Sequence, residues 1–177
     1  MTGDLNIDWR DFRLAGALGE VSQGFDSQPM HDQVVDDLAA GRYEKALTEA
    51  QMVIDRNMAN GEGHLLAMTV LQKMGRSEEA KKQEAILNAI GKSIMESGDG
   101  ASAEKAWFTV APSETVFFMT EALGAQIEGQ ELVYVNGHAY DKLTVLDRQG
   151  KRRVVWFNTD TNELLKERAT HPKAAPQ

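Results

Sequence analysis

The chain has 177 residues, 42% of them hydrophobic, 26% charged, and no cysteine. That is enough apolar material for one ordinary core or two small ones. It is too apolar for a disordered chain, and no stretch reaches the roughly 20 apolar residues of a membrane span. The formal net charge of -8 argues against a phosphate-backbone binder, and the lack of thiols removes disulfides, thiolate nucleophiles and cysteine-ligated metal centres.

The start, Met1-Thr2-Gly3-Asp4, lacks the charged and apolar regions of a signal peptide. Two readings follow: a cytoplasmic protein, or a mature envelope chain whose signal has been removed. The negative charge is concentrated before Arg42. There eight acids (Asp4, Asp8, Asp11, Glu20, Asp26, Asp32, Asp36, Asp37) face two bases, Arg10 and Arg13. Such a segment either keeps the protein soluble or steers a basic partner.

The first half reads as helices, predicted at about 28–40, 43–57, 61–74 and 77–95. Gly41-Arg42-Tyr43-Glu44-Lys45-Ala46 returns as Gly75-Arg76-Ser77-Glu78-Glu79-Ala80, an offset of 34 residues. In each copy the glycine suits a left-handed helix end and the alanine suits close approach of two backbones. Apolar positions recur at helical spacing: Tyr43, Ala46, Leu47, Ala50, Val53 and Ile54 in the second helix, Ile86, Ile90 and Ile94 in the fourth. Ser77 is expected to cap the fourth.

After Ser97-Gly98-Asp99-Gly100 the pattern changes. Trp107, Phe108 and Val110 mark a buried element, helical turn or strand. Pro112-Ser113-Glu114 opens a helix, with Pro112 just outside and Ser113 as cap, and Gly124 ends it. Glu131–Val135, His138–Asp147 and Arg152–Asn158 read as an antiparallel meander. Asn136-Gly137 makes the first turn, because a type I′ turn needs positive φ twice. The fold class expected is therefore α+β: helical hairpins in 1–96, then a small antiparallel meander with one helix in 97–169, then a flexible tail in 170–177.

Two resemblances add to this reading. The 34-residue offset, with Gly, Arg, Glu and Ala retained, is similar to tetratricopeptide repeats over about 27–95. Met30 and His64 stand where those repeats place a large aromatic, and Met58 and Lys92 where they place a closing proline. Two such units bury too little alone, so the second half is expected to cap them. The second resemblance runs from about Asp8, and most clearly from His64 to Asp160. It rests on His64, Gly75 with Ala80, Ser93-Ile94, Ser97-Gly98-Asp99-Gly100, Ser102, Glu104 and Ala106. It continues through Ser113-Glu114, Leu123-Gly124, Gln130-Glu131-Leu132-Val133, Gly137, Tyr140-Asp141 and Trp156-Phe157-Asn158. On these residues the chain resembles an uncharacterised bacterial family, a domain of unknown function common in cell-envelope proteins. The resemblance implies an envelope location and an α+β fold. It implies no reaction and carries over no site.

Candidate chemistry is sparse. Asp99, Ser102 and Glu104 offer oxygen ligands within six residues, which suits either a hard cation or a capped tight turn. His64 is a candidate base or ligand, but no carboxylate or second histidine lies at helical spacing from it, and a packed histidine is favoured. His31, His138 and His171 form no ligand pattern, and the chain has no Gly-x-Ser-x-Gly turn and no dinucleotide fingerprint. Lys151-Arg152-Arg153 is too short a basic run for nucleic-acid binding, and no cofactor is expected.

The leading expectation is a non-enzymatic interaction protein of the bacterial envelope. Its paired helices present a concave surface lined by His31, Val35, Leu38, Leu65, Thr69 and Lys73, with Asp32 and Asp36 adding charge beside Asp37. The partner is another protein. The specific version is an immunity-type inhibitor that plugs a secreted toxin. The alternatives are a metal-dependent hydrolase centred on Asp99, Glu104 and His64, and a structural domain that pairs with its own subunit.

Overall fold

A computed structural model describes residues 7–19 and 28–161. Part of the acidic first segment (Asp4, Glu20, Asp26) and the proposed tail at 170–177 lie outside the described residues. The chain is α+β. It divides at Ile90/Gly91, within the fifth helix, into two compact units, rather than at the 96/97 junction read from the glycine-rich string.

The first unit is helical: α1 (Trp9–Leu18), α2 (Gln28–Ala39), α3 (Tyr43–Arg56), α4 (Gly61–Lys73) and α5 (Ser77–Met95), which runs on past the division. Asp8 caps α1 by accepting the Asp11 N–H at 3.0 Å, and Asn60 caps α4 by accepting that of Gly63 at 2.8 Å. The repeated Gly-Arg step performs the same task twice. Gly41 and Gly75 have φ of 73° and 74°. The Arg42 N–H then reaches back to the Asp37 carbonyl at 2.8 Å, and the Arg76 N–H to the Leu71 carbonyl at 2.9 Å. Each helix end thus satisfies carbonyls it would otherwise leave bare. Ser77 is not the cap of α5. It is already helical, and the Arg76 carbonyl before it accepts from Glu79 and Ala80.

Helix α3 packs on both α2 and α4, and α2 also meets α4. The core between them joins Val34 of α2, Ala46, Ala50 and Ile54 of α3, and Ala67 and Val70 of α4, with Leu38, Tyr43, Leu47, Leu66 and Met74 around it. Small residues at the crossing let the backbones approach: a Cβ at Gly63 would meet Val53 and Ile54 at 3.0 Å. The buried Asp37 lies in the last turn of α2, where a carboxylate opposes the helix dipole. Arg42 and Lys45 offset this, with the Arg42 guanidinium 2.6 Å from its Oδ1 and the Lys45 Nζ 2.9 Å from its Oδ2.

The second unit holds a 3-10 turn (Ala103–Lys105), β1 (Trp107–Phe108), α6 (Pro112–Phe117), a π-helical turn (Phe118–Ala122), β2 (Gln126–Val135), β3 (His138–Leu146) and β4 (Arg152–Asn158). The sheet order is β1-β4-β3-β2. The predicted meander is present as β2-β3-β4, but β1 lies parallel to β4, so the sheet is mixed and not purely antiparallel. Strand β2 begins at Gln126, five residues before the expected start, and a bulge between Ile127 and Gly129 shifts its register. Asn136 and Gly137 both have positive φ, 52° and 83°, as the two-residue turn requires.

Pro112 is inside α6, at its first position, and Ala111, not Ser113, precedes it. Proline fits there because the N–H it lacks would be unbonded anyway. Glu114 turns back and accepts the Val110 N–H at 2.9 Å, doing what the expected serine cap does not. Trp107, Phe118 and Phe157 close the core, with ring centroids 5.3, 5.4 and 6.2 Å apart, pair by pair.

Candidate functional site

The face expected to bind is only partly what the sequence suggested. On α2, Asp32, Val35 and Asp36 are solvent-facing, and Val35 is 46% exposed between the two acids. The Gln28 side chain donates to Asp32 at 2.8 Å, and His31 lies 3.3 Å from it; these two contacts hold the carboxyl below the usual aspartate range. The other ring nitrogen of His31 lies 4.0 Å from Glu62 of α4, so the imidazole spans the two helices. Lys73 is exposed at the end of α4. Leu38 instead packs against the helical core. Leu65 and Thr69 are half-buried, and the Thr69 hydroxyl is spent on the Leu65 carbonyl at 2.9 Å.

Asp37 does not belong to this surface. It is buried, and the Lys45 ammonium first and the Arg42 guanidinium second hold it below the ordinary carboxylate range. The sequence shows two adjacent aspartates; one helical step of 100° sends one out and the other in.

A second concavity lies on another side of the same unit. A groove of about 620 Å³ runs between α3, α4 and the start of α5, lined by Leu47, Met52, Ala67, Leu71, Arg76 and Glu79 among others. Its α4 residues, Ala67 and Leu71, alternate with Leu65, Thr69 and Lys73, so the groove and the α2–α4 face use opposite sides of α4. Arg76 crosses its rim, bound to Glu79 at 2.6 and 2.7 Å and lying 3.9 Å from Glu44. The sequence pattern did not reveal this groove. The signal available was the second copy of the Gly-Arg step, which fixes Arg76 at a helix start within reach of Glu79.

The residues of the hydrolase alternative are each engaged locally. His64 is buried in the first unit. Its Nδ1 lies 2.6 Å from the Gln83 side-chain oxygen, and its Nε2 3.0 Å from the Met58 carbonyl. A carbonyl oxygen can only accept, so Nε2 carries a hydrogen toward Met58. Asp99 accepts the Ala101 N–H at 2.9 Å and lies 3.6 Å from the Lys105 ammonium. The carboxyl of Glu104 is held low by its own N–H first and the Ser102 hydroxyl second.

The glycine-rich string around Asp99 is a joint between helix end and sheet. The Asp99 and Gly100 N–H groups both donate to the Lys105 carbonyl, at 3.0 and 2.8 Å. The Trp107 indole donates to the Gly98 carbonyl at 3.0 Å, and the Trp156 N–H to the Gly100 carbonyl at 2.9 Å. The Ser97 hydroxyl accepts from Phe108 at 2.8 Å and donates to Ile94 at 2.6 Å. Among the described residues no group of three or more histidine or acidic side chains is arranged to hold a metal ion, and no helix is long and apolar enough to cross a membrane. Comparison with protein-family models, with curated proteins and with solved structures gives no match.

Proposed function

We propose that the chain is a non-enzymatic protein-interaction module of the bacterial cell envelope, acting in the periplasm, and that it takes its partner on the α2–α4 face. The observation that carries this reading is on α2: an exposed valine, Val35, stands between two solvent-facing carboxylates, with Asp32 held ionised by Gln28 and His31. An apolar contact ringed by fixed negative charge suits a protein surface that offers a small hollow surrounded by lysine or arginine. The net charge of -8 adds long-range attraction for such a partner. The specific form is an immunity-type inhibitor that covers the basic active-site mouth of a secreted toxin. Recognition then comes from shape and charge, with no bond made or broken.

The test uses the product of the reading frame beside this gene as the purified partner. Reversing the two exposed charges (Asp32→Lys with Asp36→Lys) should weaken binding at least tenfold, mostly by slowing association, while leaving the helical circular dichroism unchanged. Asp37 is left intact, because its ion pairs hold α2 to α3. Binding as tight as wild type with both charges reversed removes the α2–α4 face from the account.

A further inference from the structure

Among the described residues, most carboxylates of the sheet unit are answered by a neighbour. Glu128 is bound by Arg152 at 2.7 Å, Glu131 faces Lys142 at 3.5 Å, and Asp147 holds Arg153 at 2.7 Å. Asp160 accepts from the Ala139 N–H and pairs with His138, both at 2.8 Å. Asp141 differs. It sits in the middle of β3, 6% exposed, and among the described residues no hydrogen bond or ion pair reaches its side chain. Its register partners are Leu132 on β2 and Phe157 on β4. Its same-face neighbours along β3 are Ala139 and Leu143, set by the two-residue period of a strand. None of these side chains donates a hydrogen bond. A carboxylate set among apolar neighbours is favoured by a cation or donor brought beside it.

The surroundings are open on one side. Leu132 and Tyr134 lie on the same face as Asp141, by register, and are 44% and 62% exposed. Strand β2 is at the end of the sheet order, and among the described residues no strand pairs with its other edge. The carboxylate oxygens of Asp141 are not among the atoms the fold seals off.

We propose that Asp141 receives a lysine or arginine side chain from an extended segment of a partner protein laid along the outer edge of β2. Such a strand would pair with the stretch 130–135, beyond the bulge. Its residue opposite Leu132 would stand two strand spacings, roughly 10 Å, from Asp141. A short or neutral side chain does not span that gap; the stem of arginine or lysine does, lying over Leu132 and beside Tyr134 with its charged end at the carboxylate. Glu128 and Glu131 do not compete for it, since Arg152 and Lys142 already hold them. This contact is separate from the α2–α4 face and stands or falls without it.

The test uses the full chain and two synthetic strand peptides, Ac-Thr-Val-Arg-Val-Thr-Val-amide and its citrulline counterpart, which keeps the shape and loses the charge. Amide chemical shifts are followed by NMR. The arginine peptide should move the resonances of Leu132, Tyr134 and Asp141 and bind at least tenfold more tightly than the citrulline peptide. Asp141→Asn should erase that preference. Tyr134→Lys, a change at an exposed site that sets a resident cation beside Asp141, should weaken the arginine peptide without unfolding the sheet. Equal binding of both peptides, binding of neither, a preference that survives Asp141→Asn, or full affinity in Tyr134→Lys overturns the proposal.

Discussion

Adding one methyl group at Gly100 tests whether the glycine-rich joint is structural. Two costs are stacked there. Gly100 has φ of +69°, which an alanine adopts at a cost of about 1–2 kcal/mol. The new Cβ would also fall 2.7 and 2.8 Å from two ring carbons of Trp107. That ring is pinned by its own hydrogen bond to Gly98 and by edge or tilted contacts with Phe118 and Phe157, so it yields only by giving these up. Two aromatic contacts at about 0.5–1.5 kcal/mol each and one hydrogen bond at about 1 kcal/mol bring the total for Gly100→Ala to about 3–6 kcal/mol. Gly150 supplies the control within the same unit: its φ is +74°, yet a Cβ there meets nothing within 4 Å. Gly150→Ala should therefore cost only the conformational share, about 1–2 kcal/mol. Urea unfolding followed by tryptophan fluorescence measures both. Equal losses for the two variants would show that the ring moves freely and that the joint is not what holds Trp107.

Three further outcomes are expected. Ala50→Leu enlarges a fully buried site between α2, α3 and α4 and should cost about 1–3 kcal/mol in chemical denaturation, seen as loss of helical circular dichroism. His64→Ala leaves the Met58 carbonyl unpaired and a cavity beside it; about 2–4 kcal/mol should be lost, and the thermal midpoint should fall. Asp32, Asp37, Glu79, Glu104, Asp147 and Asp160 all ionise more easily folded than free. The folded state then binds fewer protons than the unfolded one as pH drops. The stabilisation is present above the ordinary carboxylate pKa of about 4 and is lost as pH falls through the lowered values. The thermal midpoint should be flat from pH 7 to about 5 and decline below about 4. A midpoint that rises on acidification would contradict the assigned ion pairs.

The helices were legible because several local signals agree. Gly41 and Gly75 mark ends, Ala46 marks a close crossing, and the apolar spacing runs between them. The sheet's turns were legible for the same reason, since Asn136-Gly137 admits few conformations. What sequence could not supply was orientation. Leu38 sits at a position that reads as lining, yet it packs against the cluster of Val34, Ala46, Ala50, Ile54, Ala67 and Val70. Asp36 and Asp37 read alike, and only the basic pair Arg42 and Lys45 separates them. Strand β1 is two residues long, too short for an alternating pattern, and its pairing depends on β4 far along the chain. The unanswered Asp141 was invisible as such, because a Tyr-Asp pair in a strand says nothing about which neighbour fails to donate.

The parallel pairing of β1 with β4 also sets an order of events during synthesis. The α2–α3 and α3–α4 hairpins join neighbours in sequence and can form soon after they leave the ribosome. In the other unit the β2–β3 and β3–β4 hairpins are also local, but the pairing of β1 is not. Trp107 and the Gly100 carbonyl both wait for residues of β4, Phe157 and the Trp156 N–H, before their bonds exist. Until that last strand emerges, an aromatic ring and a glycine-rich loop stay open, and the nascent sheet is at its most vulnerable to chaperones and proteases.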